Sequence, residues 1–141
     1  MEDEGLTMVQ LNGEEGPSLC AEVARKTGLK VIKAVHVRSA ADIHAAEAFR
    51  TDFHLFDRRG KGLWGGSGES FDWDLLRERR SDVPAILAGG LRPENVAEAI
   101  AVARPHAVDV ASGIEAEPGR KDYAAMTAFF EAAQAAGVSA R

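Results

Sequence analysis

Ala85-Ile86-Leu87-Ala88-Gly89-Gly90-Leu91-Arg92-Pro93-Glu94-Asn95-Val96 and Ala107-Val108-Asp109-Val110-Ala111-Ser112-Gly113-Ile114-Glu115 decide the fold. Each is a short apolar strand that breaks at small residues and then turns helical. In the first, Pro93 suits the opening turn of a helix, where a missing N–H leaves no bond unmade. Val96, Ala99, Ile100 and Ala103 then recur at helical spacing. Glycine lets backbone N–H groups come close to a ligand, and a helix start favours an anion. One such turn need do no more than end a strand. Two in succession in a βαβ chain point to phosphate, because barrels often bind it at the loops of their last two strands.

Working outward, residues 6–11 are strand-like and break at Asn12-Gly13. Glu14 to Pro17 lead into a helix whose apolar members are Leu19, Cys20, Val23 and Ala24, with Gly28 as its stop. Residues 29–37 form a second strand. Ser39, three residues before Asp42, predicts a capping box for a helix carrying Ile43, Ala46 and Phe49. Residues 53–57 form a third strand that ends on the carboxylate of Asp57. A basic, glycine-rich loop at 58–68 and a short helix at 71–79 with Trp73, Leu75 and Leu76 lead back to the opening stretches, which supply the fourth and fifth strands. The last helix covers about 122–136, with Met126, Phe129, Phe130 and Ala133 on one face.

Strand and helix therefore alternate five times, which makes the strands parallel and covers them with helices. No linker or shift of composition divides the chain, so residues 1–141 read as a single domain. Two architectures fit: an open doubly wound sheet, and part of a (β/α)8 barrel. Length favours the open sheet, since barrels seldom fall below roughly 200 residues. The polar and glycine residues at the C-terminal strand ends favour the barrel. So does Asp109, which alternation sends to the face opposite Val108 and Val110.

Composition bounds the function. With 45% hydrophobic and 28% charged residues, the chain is neither disordered nor rich in spanning segments, and no apolar run nears the roughly 20 residues a membrane helix needs. A net charge of −5 argues against nucleic acid as a partner but leaves room for a phosphate pocket built from backbone amides. The single cysteine, Cys20, and the acidic start Glu2-Asp3-Glu4, the reverse of a signal peptide, predict a cytoplasmic setting. His36, His44, His54 and His106 lack metal-ligand spacing and take no site. Arg58, Arg59 and Lys61 read as a solvated loop.

Seven ordered stretches resemble the phosphoribosylanthranilate isomerase family. They are residues 9–15, 31–35, 55–57, 65–73, 88–96, 108–115 and 119–122. Each is weak alone, and together they run in family order over nearly the whole chain. The resemblance implies a partial TIM (β/α)8 barrel whose five parallel βα units match the family's strands four to eight. It implies an Amadori rearrangement of N-(5-phosphoribosyl)anthranilate in tryptophan biosynthesis, with no metal and no organic cofactor. Asp57 matches the family's general acid. Gly66, Gly89, Gly90, Ser112 and Gly113 would hold the substrate phosphate, and Asp109 the ribose hydroxyls.

The family's first strand, which carries a catalytic cysteine, and its second, which carries an arginine for the anthranilate carboxylate, have no counterpart among these residues. Cys20 falls on a helix and reads as a small core residue, and Asn12 stands where the family usually has histidine. The expectation is a truncated chain, inactive alone, that self-associates through exposed barrel edges. The rival readings are another phosphosugar barrel enzyme and a non-catalytic phosphate-binding half-barrel.

Overall fold

The longest strand sets the plan of the sheet. β2 (Lys30–Val37) is rich in β-branched residues, which suit a pleated backbone. It pairs in parallel with β1 (Met8–Leu11) on one side and β3 (Phe53–Arg58) on the other. β4 (Ala85–Leu87) and β5 (Ala107–Val108) continue the row, so five parallel strands stand in the order in which they occur in the chain, with β1 and β5 at the edges. This is a computed structural model, and it describes residues 5–58 and 72–137.

Parallel neighbours need crossovers, and helices supply them. α1 (Pro17–Thr27) joins β1 to β2, α2 (Ala40–Ala46) joins β2 to β3, and α3 (Val96–Ala103) joins β4 to β5. Pro17 opens α1, and Gly28 closes it at φ 69°, donating its N–H to Ala24. Ser39 and Asp42 form the expected capping box on α2. α4 (Tyr123–Ala135) is capped by the Asp122 carboxylate, which accepts from the N–H groups of Ala124 and Ala125.

The two faces of the sheet differ. Val37, Phe56 and Leu87 are buried with Ile43 and Ala46 of α2, Val96, Ala99 and Ile100 of α3, and Phe129 and Ala133 of α4. Ala34, Leu55 and Ala88 form a separate small cluster on the opposite face, flanked by Ile32 and Ile86. Period-two alternation along β2 and β3 produces this division.

Several local expectations differ from the structure. α2 ends at Ala46, so Phe49 lies beyond it; its N–H still reaches the Ala46 carbonyl in a tight turn. The short helix expected at 71–79 is a 3-10 helix over Trp73–Glu78, a form suited to a one- or two-turn piece. Pro93 lies ahead of α3, because Asn95 takes the Arg92 N–H and gives a bond to the Gly90 carbonyl, closing a turn before the helix begins. The second glycine turn enters a 3-10 helix at Ser112–Ile114, and an antiparallel hairpin follows. The hairpin comprises β6 (Glu115–Glu117) and β7 (Arg120–Lys121), and Lys121 ties it back to the Ala111 carbonyl at 2.7 Å. Phe130, expected on the buried face of α4, is 61% exposed. It borders a hollow of about 750 Å³ beside β5 with Val108, Asp109, Met126 and Phe129.

Candidate functional site

Asp57 follows Phe56, which belongs to the helix side, and so shares the face of Leu55. On β2 its register partner is His36. The ladder continues one step past β4 and β5: Ala88 donates its N–H to Phe56 at 2.8 Å, and Asp109 donates to Leu87 at 2.8 Å. His36, Asp57, Ala88 and Asp109 therefore stand at one level across four strands, at their C-terminal ends.

Asp57 is half-buried, whereas His36 and Asp109 are exposed. Burial is the largest influence on the Asp57 carboxyl and raises its proton affinity above the ordinary aspartate value. The Asp109 carboxylate pushes the same way, while the Arg58 N–H and the His36 imidazole oppose it. An acid held in this manner keeps its proton to higher pH, which suits proton donation.

The first glycine turn lies directly against this carboxyl. Gly89 has φ +84°, and a β-carbon there would fall 2.5 Å from Asp57 Oδ1 and 2.5 Å from the Arg58 nitrogen. Glycine is needed at 89 both for the backbone conformation and to leave room for the acid. Gly90 follows at φ +69°. The second turn meets the first: a β-carbon on Gly113 would overlap the Leu91 carbonyl oxygen. The structure thus brings Asp57, Gly89, Gly90, Ser112, Gly113 and Asp109 to one end of the sheet. Gly66 and the segment 59–71 lie outside the described residues.

A hollow of about 770 Å³ opens at the C-terminal ends of β1–β3, lined by Asn12, Glu15, Lys33, His36, Asp57 and Arg58 among others. Its lining stops short of both glycine turns. Lys33 is buried and donates to the Gly13 carbonyl at 2.7 Å and to Glu15 Oε2 at 2.8 Å. This pins the loop that carries Asn12, and the ammonium holds the Glu15 carboxyl below its usual range. Sequence reasoning passed over both Lys33 and His36. For His36 the signal was present, since Ile32, Ala34 and His36 alternate onto one face and end at the site.

The remaining candidates lie elsewhere. Cys20 is buried on α1, and burial pushes its thiol up. His54 is buried on the helix side with its Nε2 3.0 Å from the Phe49 carbonyl, and burial lowers its proton affinity. His44 stands 3.4 Å from Glu78, and the His106 ring lies 5.7 Å from that of Phe53. Among the described residues, no group of three or more His, Cys, Asp or Glu is placed to hold a metal ion. No helix of these residues is long and apolar enough to cross a membrane.

Residues 1–132 match the family described as N-(5'phosphoribosyl)anthranilate (PRA) isomerase. The N-(5'-phosphoribosyl)anthranilate isomerase of Acidithiobacillus ferrooxidans is 49% identical over 126 residues, which is 88% of this chain and 58% of that protein. The crystal structure of the phosphoribosyl anthranilate isomerase of Thermus thermophilus superposes with a TM-score of 0.79 at 34% identity, covering 96% of this chain and 64% of that one. A third structure is a phosphoribosyl anthranilate isomerase in complex with reduced 1-(o-carboxyphenylamino)-1-deoxyribulose 5-phosphate. It matches at a TM-score of 0.72 and 39% identity, over 92% of this chain and 60% of that one. The chain thus spans about three fifths of the length of these relatives.

Proposed function

The chain belongs to the N-(5'-phosphoribosyl)anthranilate isomerase family, and from that premise we propose that it is the acid-bearing, phosphate-holding part of such an isomerase. Its five strands are the fourth to eighth of a (β/α)8 barrel. The completed barrel converts N-(5-phosphoribosyl)anthranilate to 1-(2-carboxyphenylamino)-1-deoxyribulose 5-phosphate in tryptophan biosynthesis. The observation that carries this reading is the half-buried Asp57, raised in proton affinity and lying against Gly89 at the strand ends where the two glycine turns meet.

In this mechanism Asp57 donates its proton to the ribose ring oxygen, the C1′–O bond opens, and a Schiff base forms. A base supplied by the rest of the barrel removes the C2′ proton, and the resulting enolamine tautomerises to the ketone. Gly89, Gly90 and Gly113 offer backbone N–H groups to the phosphate, with the Ser112 hydroxyl beside them. Asp109 accepts from the ribose hydroxyls. The compound bound in the related isomerase's structure, the reduced form of that product, carries the 5-phosphate that this arrangement would hold.

The 141 residues alone carry no counterpart of the family's cysteine base or carboxylate-binding arginine, so they turn over no substrate by themselves. Their two edge strands, β1 and β5, offer unpaired backbone groups, and the hollow beside β5 offers apolar surface. Self-association of the isolated chain follows, read by analytical ultracentrifugation. A cooperatively folded monomer would overturn that part of the reading. The activity is tested by fusing the first three βα units of a relative to this chain and assaying the isomerase reaction. Anion binding without turnover in a folded fusion would instead make the chain a phosphate-binding module.

A further inference from the structure

The β2 residue opposite Asp57 has no assigned role, although it is an ionisable side chain in direct register with it. Partners on adjacent parallel strands lie about 4.8 Å apart, and their side chains emerge side by side on one face. His36 and Asp57 are such partners, on the face of Ala34 and Leu55, and both line the hollow at the strand ends. On Asp57's other flank, beyond Gly89 and Ala88, stands Asp109. The acid therefore lies between a group that becomes cationic on β2 and a carboxylate after β5, with Arg58 next to it on its own strand.

We propose that His36 is a positioning residue for Asp57, its imidazolium beside the carboxyl favouring the carboxylate and so opposing the hold that burial and Asp109 give the proton. The mechanism is electrostatic. The imidazole is the side chain that can place a positive charge beside the carboxyl from the neighbouring strand. A positive charge there favours the ionised carboxyl, and the direction of the His36 influence on Asp57 agrees. Asp109 acts in the opposite sense. The two flanking groups thus bracket the proton affinity of the acid. The assignment rests on Asp57 being the general acid, and it names a residue that tunes that acid from outside the reacting atoms.

NMR titration of the His36 ring and the Asp57 carboxyl tests it, in the 141-residue chain and in the fused barrel. Linkage requires each group to shift the other equally. At an exposed mouth, two unit charges at this separation are worth up to about half a pH unit. His36→Gln should raise the Asp57 midpoint by that order, and Asp57→Asn should lower the His36 midpoint by the same amount. Both shifts should shrink in high salt. His36→Lys retains a cation and should keep Asp57 near its original midpoint, and Asp109→Asn should lower it. His36 is exposed, so its replacement leaves the core untouched.

An Asp57 midpoint unmoved by His36→Gln, or a His36 midpoint unmoved by Asp57→Asn, would overturn the proposal. Neither reading needs turnover, so it stands or falls separately from the isomerase activity. If Asp57 is the acid, His36→Gln in the fused barrel also moves the alkaline limb of the kcat profile upward by the same amount.

Discussion

The two faces of the sheet are built for different work. The helix-side face presents Phe56 and Leu87, each fully buried, to α2, α3 and α4, which bring Ile43, Val96, Ala99 and Phe129 into one continuous core. The opposite face presents Ala34, Leu55 and Ala88 in a small cluster, and then a polar rim of His36, Asp57 and Asp109. The same strands make both, because successive residues point to opposite sides. Stability is concentrated on one side and ionisable groups on the other. The acid is raised in proton affinity by burial without being sealed into the core.

The strongest way to break this contrast is to empty each face in turn. Phe56→Ala should cost about 3–5 kcal/mol by urea unfolding, from lost burial and the cavity left behind. Leu55→Ala, among small neighbours on the other face, should fall near the lower end of the range for such truncations, about 2 kcal/mol. Equal losses would show that the helix side does not dominate the stability.

The next variant probes the junction of the two glycine turns. Gly113→Ala places a β-carbon on the Leu91 carbonyl, and backbone must move to relieve it. A loss of about 1–3 kcal/mol is expected from such overpacking. An unchanged midpoint of unfolding would mean that the turns are not packed as described.

The smallest effect concerns the acid itself. Burial raises the Asp57 proton affinity in the folded state above the ordinary value of 3.8. The folded protein therefore holds that proton more tightly than the unfolded chain. Ionising Asp57 costs stability as pH rises from the unfolded value through the folded one, and the full cost is present at neutral pH. Asp57→Asn should give a small rise in Tm at pH 7 that disappears below pH 3.8. A fall in Tm at pH 7 would contradict the sign.

Much of this organisation was legible in the sequence. Alternation and helical spacing located the five strands and the caps at Ser39 and Gly28, because those signals are local. The strand order followed from the repeated strand–helix unit. The hairpin of β6 and β7 was not legible, since its anchor runs from Lys121 back to the Ala111 carbonyl ten residues away. The turn at Pro93 depends on the Asn95 side chain closing backbone bonds, and α2 ends in a tight backbone turn from Phe49 to Ala46; helical spacing encodes neither. The glycine turns were legible in the residues themselves, whereas the role of Asp57 as the acid came through resemblance. The clearance that Gly89 gives to Asp57 was hidden, because it depends on one strand's side chain lying across the next strand's turn. His36 was hidden for a related reason: its partner lies 21 residues on and is set by register.

The proposed role of Asp57 is the acid of an isomerase completed by the family's first three βα units. Steady-state assay of the fusion, with and without Asp57→Asn, tests it most directly. A positioned acid contributes roughly 10²–10⁴-fold. The account predicts isomerase turnover in the fusion and a loss of at least about 10²-fold in kcat on Asp57→Asn, with affinity for a product analogue nearly unchanged. Full kcat in the Asp57→Asn fusion would contradict it.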